Sequence, residues 1–423
     1  MLKPKKIELE GVNRLYSKEE IDNKVLHGDV YEILSKFPEN IIDCCMTSPP
    51  YYSARFYGKE LDLKWKDGWY GQLGLEPTPT LYISHLVEIF DEVRRVLKKT
   101  GIFFLNIGDT YAGSMHGRGM KEPPEDSLQS PFNEFDPASV MMPPSKSCIG
   151  KETWIVPKQL LLIPSRVAIE MQNRGWILRQ DIIWHKRSCL PSTARDRFTS
   201  SYEHIFMFVK SRKYFFNDEF ARKEYEPASV KRAEYQLPLF GGHESGAACV
   251  GSKKGKAEQR YISLNPKGAK KHDVWDLNTA NLHLKHFASF SEDLVENCVK
   301  PGCPKEVCIK CGKPKIPVVK KEHIPTRPGL ETENNKSHSE EDPLKDLHDR
   351  EITRKRMKIK YIYEGLQPSC KCQVGFEPGI ILDIFAGSGT SLLVAKKLGY
   401  RYCGIDLKEE YIKMINARLG SIL

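Results

Sequence analysis

The chain has 423 residues, with 65 Lys and Arg against 55 Asp and Glu, a formal charge of +10. That length exceeds one small domain and points to two or three units, and the basic excess suits a polyanionic partner. No apolar run reaches membrane-spanning length, Met1–Lys6 lacks the core of a signal peptide, and twelve cysteines are too dilute for a secreted disulfide scaffold. The expectation is a soluble intracellular protein whose clustered cysteines bind metal.

Val25–Val30 reads as a short strand ending in an acidic turn at Asp29, and a helix follows over Tyr31–Lys36. The apolar run Ile41–Met46 reads as a buried strand. It ends in Thr47-Ser48-Pro49-Pro50-Tyr51-Tyr52. Two prolines lack the N–H needed to continue a central strand and push Ser48 toward an extended conformation. The result is a stiff loop presenting a hydroxyl, a proline carbonyl and an aromatic face. The Ser48 hydroxyl and the Pro49 carbonyl can both accept from one amino group, while Tyr51 stacks on a flat heterocycle. That combination suits an exocyclic amino group of a nucleobase, which must be flipped out of a duplex to reach it.

Residues 53–78, with Trp65, Trp69 and Tyr70, read either as a mobile loop near the pocket or as an apolar lid packed on the body. Leu86, Phe90, Val93 and Leu97 recur at helical spacing, so a helix is expected over 80–99, with Gly101 placed to end it. A strand over Ile102–Ile107 follows. Residues 113–152 have no clear period and read as a long loop. A helix near 160–173 ends at Gly175. Strands are expected over Trp176–Trp184 and His204–Val209, the latter running on toward Phe216. Alternating strands and helices indicate an α/β sheet.

Residues 217–274 carry clustered lysines: Lys253, Lys254, Lys256, Lys267, Lys270 and Lys271. They read as a solvated charged surface or as a phosphate-contacting module. Cys308 and Cys311 form one close pair, and Cys370 and Cys372 form another. Together they can supply a tetrahedral thiolate site for structural zinc, with Cys298 and Cys303 as possible substitutes. The charged stretch between the pairs reads as a flexible excursion.

The C-terminal unit is the clearest. Ile380–Phe385 is a strand, Ala386-Gly387-Ser388-Gly389-Thr390 a glycine turn, Ser391–Leu398 a helix, and Tyr402–Ile405 a strand ending at Asp406. This is the first βαβ of a doubly wound nucleotide-binding fold, with the final acid placed for ribose hydroxyls. It lacks the third glycine of the dinucleotide fingerprint, and Asp383 precedes the turn. Those departures fit S-adenosylmethionine, which has no phosphate to cradle. Two strands form no stable sheet alone, so the N-terminal strands must complete it. The expected fold is a circularly permuted, doubly wound, mostly parallel Rossmann-like sheet. Its catalytic half is 22–216, including the loop 113–152. Its cofactor half is 275–312 and 368–423, with inserts at 217–274 and 313–367.

Thr47-Ser48-Pro49-Pro50-Tyr51 resembles the catalytic motif of the DNA amino-methyltransferases. Asp383-Ile384-Phe385-Ala386-Gly387-Ser388-Gly389 resembles their S-adenosylmethionine motif, and the order matches their beta class. The resemblance implies that Ser48, Pro49, Pro50 and Tyr51 hold the target base. It implies that Asp29, Asp383, Phe385, Gly387, Gly389 and Asp406 hold the cofactor, and that 217–274 recognises the target. His286–Ser291 resembles the methionine-side motif but lacks the prolines often found there. Serine in the first motif position implies cytosine N4 as target, with adenine N6 as the alternative. The implied setting is a prokaryotic cytoplasm, at the nucleoid, with double-stranded DNA as partner and a possible cognate restriction endonuclease. A protein-glutamine methyltransferase has its motifs in the reverse order, and a non-catalytic zinc-containing DNA-binding protein needs no cofactor turn.

Overall fold

The structure is a computed structural model. It describes residues 15–54, 57–58, 61–112, 152–189, 192, 194–234, 264–265, 268–279, 290–325 and 357–421. Residues 113–151 of the expected loop 113–152, the lysines at 253, 254, 256 and 267, and the motif-like residues 286–289 lie outside them.

All six residues of the run Ile42–Thr47 are buried. Cys45 belongs to one hydrophobic core, while Cys44 and Met46 belong to another. This is the two-residue alternation of a strand. A strand buried on both faces sits in the middle of a sheet covered on both sides. Eight strands form that sheet. They are β1 (Lys24–His27), β2 (Ile42–Thr47), β3 (Leu97–Ile107), β4 (Ile177–Lys186), β5 (Tyr202–Val209), β6 (Val274–Leu277), β7 (Ile380–Asp383) and β8 (Arg401–Asp406). Their order is β1-β8-β7-β2-β3-β5-β4-β6. Only β5 runs against its neighbours; every other pairing is parallel. The two C-terminal strands thus lie between β1 and β2, with Val25 opposite Gly404 and Leu382 opposite Cys45. This is the permuted, doubly wound sheet expected from the motif order.

Helices α1 (Val30–Ser35), α2 (Pro79–Val96) and α3 (Ile163–Asn173) contribute to the core on one face. Helices α4 (Glu292–Gly302), α5 (Thr390–Lys397) and α6 (Glu409–Gly420) contribute to the core on the other. Helix α2 shows how sequence sets the layer. Thr78 caps it by accepting from the Leu81 N–H at 3.2 Å, and Pro79 opens its first turn. Its buried stripe includes Tyr82, Leu86, Phe90 and Val93. Phe90 meets Phe103 edge-on, with ring centroids 5.0 Å apart, and such a pair adds roughly 0.5–1.5 kcal/mol beyond area burial.

Three expectations are corrected. The helix stops at Val96, and Leu97 already begins β3. Gly101 therefore caps nothing. It lies within β3, where a Cβ would come 2.7 Å from the Leu97 side chain and 2.9 Å from the Asp43 carbonyl oxygen. Strand β5 ends at Val209 rather than running on to Phe216. The charged insert is not wholly an excursion, since Lys315–Pro325 pairs antiparallel with Met357–Pro368. Valines, isoleucines and tyrosines interleaved with lysines carry strand propensity that the charge conceals.

The chain divides into two compact units. One comprises Met1–Asn217, His272–Pro314 and Cys370–Leu423; the other comprises Asp218–Lys271 and Lys315–Ser369. The second holds the long strand pair, the helix Pro227–Glu234 and a short pairing of Arg222–Lys223 with Ala269–Lys270. No helix among the described residues is long and apolar enough to cross a membrane.

Candidate active site

The chain leaves β7 for α5 on one face of the sheet and leaves β2 for α2 on the other. The gap between the carboxyl ends of β7 and β2 is therefore a topological switch point, where ligands bind in open α/β sheets. A cavity of about 800 Å³ opens there. Asp29, Phe385, Gly387 and Asp406 line it, as do Ser48, Pro49, Pro50 and Tyr51. The two motifs, far apart in sequence, share one cavity.

On the β7–β8 side, Gly387 takes φ +52° and donates its N–H to Asp406 Oδ2 at 2.8 Å. The other Asp406 oxygen accepts from the Lys408 N–H at 2.9 Å. Burial outweighs these bonds and pushes the Asp406 carboxyl up to about 6. Asp29 caps α1, accepting from the Glu32 N–H at 2.9 Å. Burial raises its carboxyl too.

Two expected cofactor residues do not line the cavity. Asp383 is 1% exposed and spans the switch point. Its Oδ1 accepts from Thr47 Oγ1 at 2.6 Å and from the Phe385 N–H at 3.2 Å, and its Oδ2 accepts from Ser391 Oγ. It builds the turn from beneath. Gly389 caps α5 at φ +73°, and a Cβ there would meet Ile415 of α6 at 2.9 Å. A side chain at 389 therefore disturbs helix packing, not a ligand.

On the β2 side, the Pro50 carbonyl accepts from Tyr82 Oη at 2.8 Å, fixing the loop to α2. The Tyr51 ring lies flush on Gly108, where a Cβ would come 2.7 Å from Cε2. Tyr51 Oη donates to Glu203 Oε2 at 2.7 Å. Asn106, Trp184 and Lys186 complete this end of the cavity. None of these four (Glu203, Asn106, Trp184, Lys186) was evident from the sequence. The only signal was a charge or amide at the end of an apolar run, and its meaning depends on strand direction.

Tyr57, Leu63, Trp65 and Gln72 wall the cavity. Trp65 stacks on His85 of α2 with ring centroids 3.9 Å apart. His85 lies 3.0 Å from Glu76 Oε1 and 3.2 Å from Asp67 Oδ2. Burial works against a charge on His85, but these two carboxylates outweigh it and raise its pKa. The described residues of the segment 53–78 both border the cavity and pack on the body through the Trp65–His85 stack.

At the far end of α4 a knuckle forms around Gly312, whose N–H donates to the Cys308 carbonyl at 2.8 Å. The sulfurs of Cys308, Cys311, Cys370 and Cys372 all lie within 4.8 Å of one another. Zinc–sulfur bonds of about 2.3 Å place tetrahedral sulfurs about 3.8 Å apart, so the four thiols fit that ion. Backbone N–H groups of Cys311 and Lys310 bring the Cys308 thiol down to about 7. Hydrogen bonding to neighbouring thiols, Cys311 first, pushes Cys372 up to about 12. Cys298 and Cys303 are not alternatives, because both are buried in the core beneath α4 and stand outside the cluster.

A family model described as DNA methylase matches residues 42–309 and 373–417. Type II methyltransferase M.SmaI of Serratia marcescens is 28% identical over 398 residues, covering 94% of this chain and 90% of that protein. Type II methyltransferase M.XycI of Xanthomonas campestris pv. cyanopsidis is 28% identical over 412 residues, covering 97% and 92%. Type II methyltransferase M.Cfr9I of Citrobacter freundii is 30% identical over 282 residues, covering 66% and 73%. The matched residues include the Pro-Pro-Tyr loop, the glycine turn and the strands that bring them to one cavity, and the chain belongs to the DNA methylase family, among the N4/N6 amino-methyltransferases.

Proposed function

We propose that the protein transfers a methyl group from S-adenosylmethionine to the N4 amino group of a cytosine flipped out of a specific DNA sequence. The observation that carries this is the shared cavity, with the Ser48–Tyr51 loop on one side and Asp406 with Gly387 on the other. Asp406 at the end of β8 suits the ribose hydroxyls of a nucleoside, and the turn lacks the third glycine of the dinucleotide fingerprint. When bound, S-adenosylmethionine supplies an electrophilic methyl group on its sulfonium. The protein's own part is placement. Asp406 would hold ribose hydroxyls, and Ser48 Oγ with the Pro49 carbonyl would accept the hydrogens of the amino group. Tyr51 would stack on the base. Orientation of this kind carries much of the rate in such a transfer.

Serine in the first motif position favours cytosine over adenine N6, the second reading on the same fold. Methyl transfer from labelled cofactor to DNA, followed by nucleoside analysis, separates them. N4-methylcytosine is expected; N6-methyladenine would overturn the cytosine reading and leave the rest. Residues 217–274 are read as the target-recognition part. The relatives named as Type II methyltransferases support a place in a restriction-modification system with a cognate endonuclease, acting in the cytoplasm at the nucleoid.

The Asp406 carboxyl gives a pH prediction. A ribose held by a carboxylate prefers the ionised form. Affinity for S-adenosylmethionine by calorimetry is therefore expected to fall as pH drops through about 6. Asp406→Asn should bind weakly and without that slope. A wild-type affinity flat from pH 5 to 8 would remove Asp406 from the ribose site.

Cys308, Cys311, Cys370 and Cys372 would hold a structural zinc that pins the ends of the long insert. Protein never exposed to chelator is expected to carry about one zinc per chain. Cys370→Ser should lose it and lower the melting temperature. Metal analysis finding none in the wild type would leave four unliganded thiols.

A further inference from the structure

An amino nitrogen that starts as –NH2 and ends as –NH–CH3 must shed one proton. The groups around Tyr51 define a route for it. Ser48 Oγ donates to Tyr51 Oη at 3.4 Å, and Tyr51 Oη donates to Glu203 Oε2 at 2.7 Å. Tyr51 Oη also reaches Asn106 Oδ1 at 3.4 Å, but the shorter contact is the one to the carboxylate, so the donors lead from Ser48 to Glu203. Glu203 is held in place for this. Its Oε2 also accepts from Asn106 Nδ2 at 3.0 Å, and its Oε1 accepts from Lys186 Nζ. Its side chain is 12% exposed, and it lines the same cavity as Ser48 and Tyr51.

We propose that Glu203 is the terminal proton acceptor of methyl transfer, reached through Ser48 and Tyr51. This rests on the amino-methyltransferase reading above. The nitrogen lone pair forms the N–C bond, and the C–S bond breaks with its electron pair left on sulfur. One N–H proton passes to Ser48 Oγ, the Ser48 proton to Tyr51 Oη, and the Tyr51 proton to Glu203 Oε2. Both hydroxyls end neutral, the product amine ends neutral, and the carboxylate ends as the acid. Glu203 returns its proton to water when product leaves.

The groups facing Glu203 are consistent with that role. Lys186 from β4 is its counter-charge, β3 offers the neutral Asn106, and the loop after β2 offers Tyr51. On β5 itself the adjacent His204 turns to Asp181 at 2.9 Å. Burial and the Glu203 charge hold the Tyr51 hydroxyl well above its ordinary value. Tyr51 therefore passes a proton on and does not rest as phenolate.

Glu203→Gln keeps the size and removes the acceptor. With S-adenosylmethionine saturating at every pH, its single-turnover methyl transfer is expected to fall at least about 100-fold, and the rise of rate with pH on the acid side should disappear. S-adenosylmethionine affinity by calorimetry, and the fluorescence of a 2-aminopurine beside the target base, should stay at wild-type values. Tyr51→Phe keeps the ring and cuts the same route, so the double variant should be no slower than the slower single one. A Glu203→Gln enzyme with wild-type rate would overturn the proposal. So would a slow one that keeps the wild-type pH profile and multiplies with Tyr51→Phe, which would make Glu203 only a positioning residue. Should Glu203→Gln fail to bind cofactor, Tyr51→Phe alone decides, and an unchanged pH profile there overturns the route. Wild-type protein yielding no N-methylated base would instead sink the functional reading, whatever the variants do.

Discussion

Tyr51→Ala is expected to slow methylation by roughly 100- to 1,000-fold, equivalent to about 3–4 kcal/mol. Two losses combine. A stacking platform for an extruded base is worth roughly 1–3 kcal/mol. The hydroxyl also donates to Glu203 at 2.7 Å, and a hydrogen bond to a charged group contributes about 1.5–3 kcal/mol. The two share one side chain, so they do not simply add. Affinity for S-adenosylmethionine should barely change, because the residues read as holding it belong to other loops. Steady-state methyl transfer to DNA, alongside calorimetry of cofactor binding, measures both. A Tyr51→Ala enzyme with wild-type turnover would reduce the Pro-Pro-Tyr loop to a turn.

Asp383→Ala should do the opposite kind of damage. It is expected to lower stability by roughly 3–5 kcal/mol and to abolish cofactor binding with it. The carboxylate accepts from Thr47, Phe385 and Ser391 at a site with 1% exposure. Each buried donor left without a partner costs about 1–3 kcal/mol. Asp383→Asn keeps one acceptor oxygen and should be milder. Burial pushes the Asp383 carboxyl up to about 6, so its ionised form is disfavoured in the fold. The wild type therefore loses stability from this group as pH rises from 3.8 to about 6, and the alanine variant should lack that slope. Urea unfolding at several pH values tests both statements. An alanine variant within about 1 kcal/mol of wild type would show that the switch point does not depend on this acid.

Strands β2, β3, β7 and β8 were legible because they contain apolar runs bounded by acids, glycines and prolines, whereas β6, with the alternating Val274–Leu277, went unread. Asp29, Asp406 and the Pro-Pro loop were legible because strand ends in such a sheet converge on one edge. Glu203 was not. It lies near the start of its strand, and only the antiparallel direction of β5 carries that start to the active edge. Pairing direction depends on distant neighbours and leaves no local mark. The helix end expected at Gly101 and the packing at Gly389 escaped the sequence for a related reason. A glycine announces that space or φ is restricted, but what restricts it comes from elsewhere in the chain: the Asp43 carbonyl in one case and Ile415 in the other. Asp383 showed its importance in the sequence but not its role, since a buried acid under a turn and an exposed acid facing a ligand look alike on paper.

The insertion of β7 and β8 between β1 and β2 sets a timetable for biosynthesis. The Thr47–Asp383 hydrogen bond joins residues 336 positions apart. At about 5–20 residues per second, a ribosome takes roughly 20–70 s to make the intervening chain. Throughout that interval β1 has no β8 and β2 has no β7, so both present bare backbone edges that invite pairing with other chains. Nascent chains are therefore most prone to aggregate before residues 380–406 emerge, and contacts this distant in sequence make final assembly slow. The strand pair that carries the glycine turn is also the pair that closes the sheet, so a chain cannot form the shared cavity before it has hidden those edges.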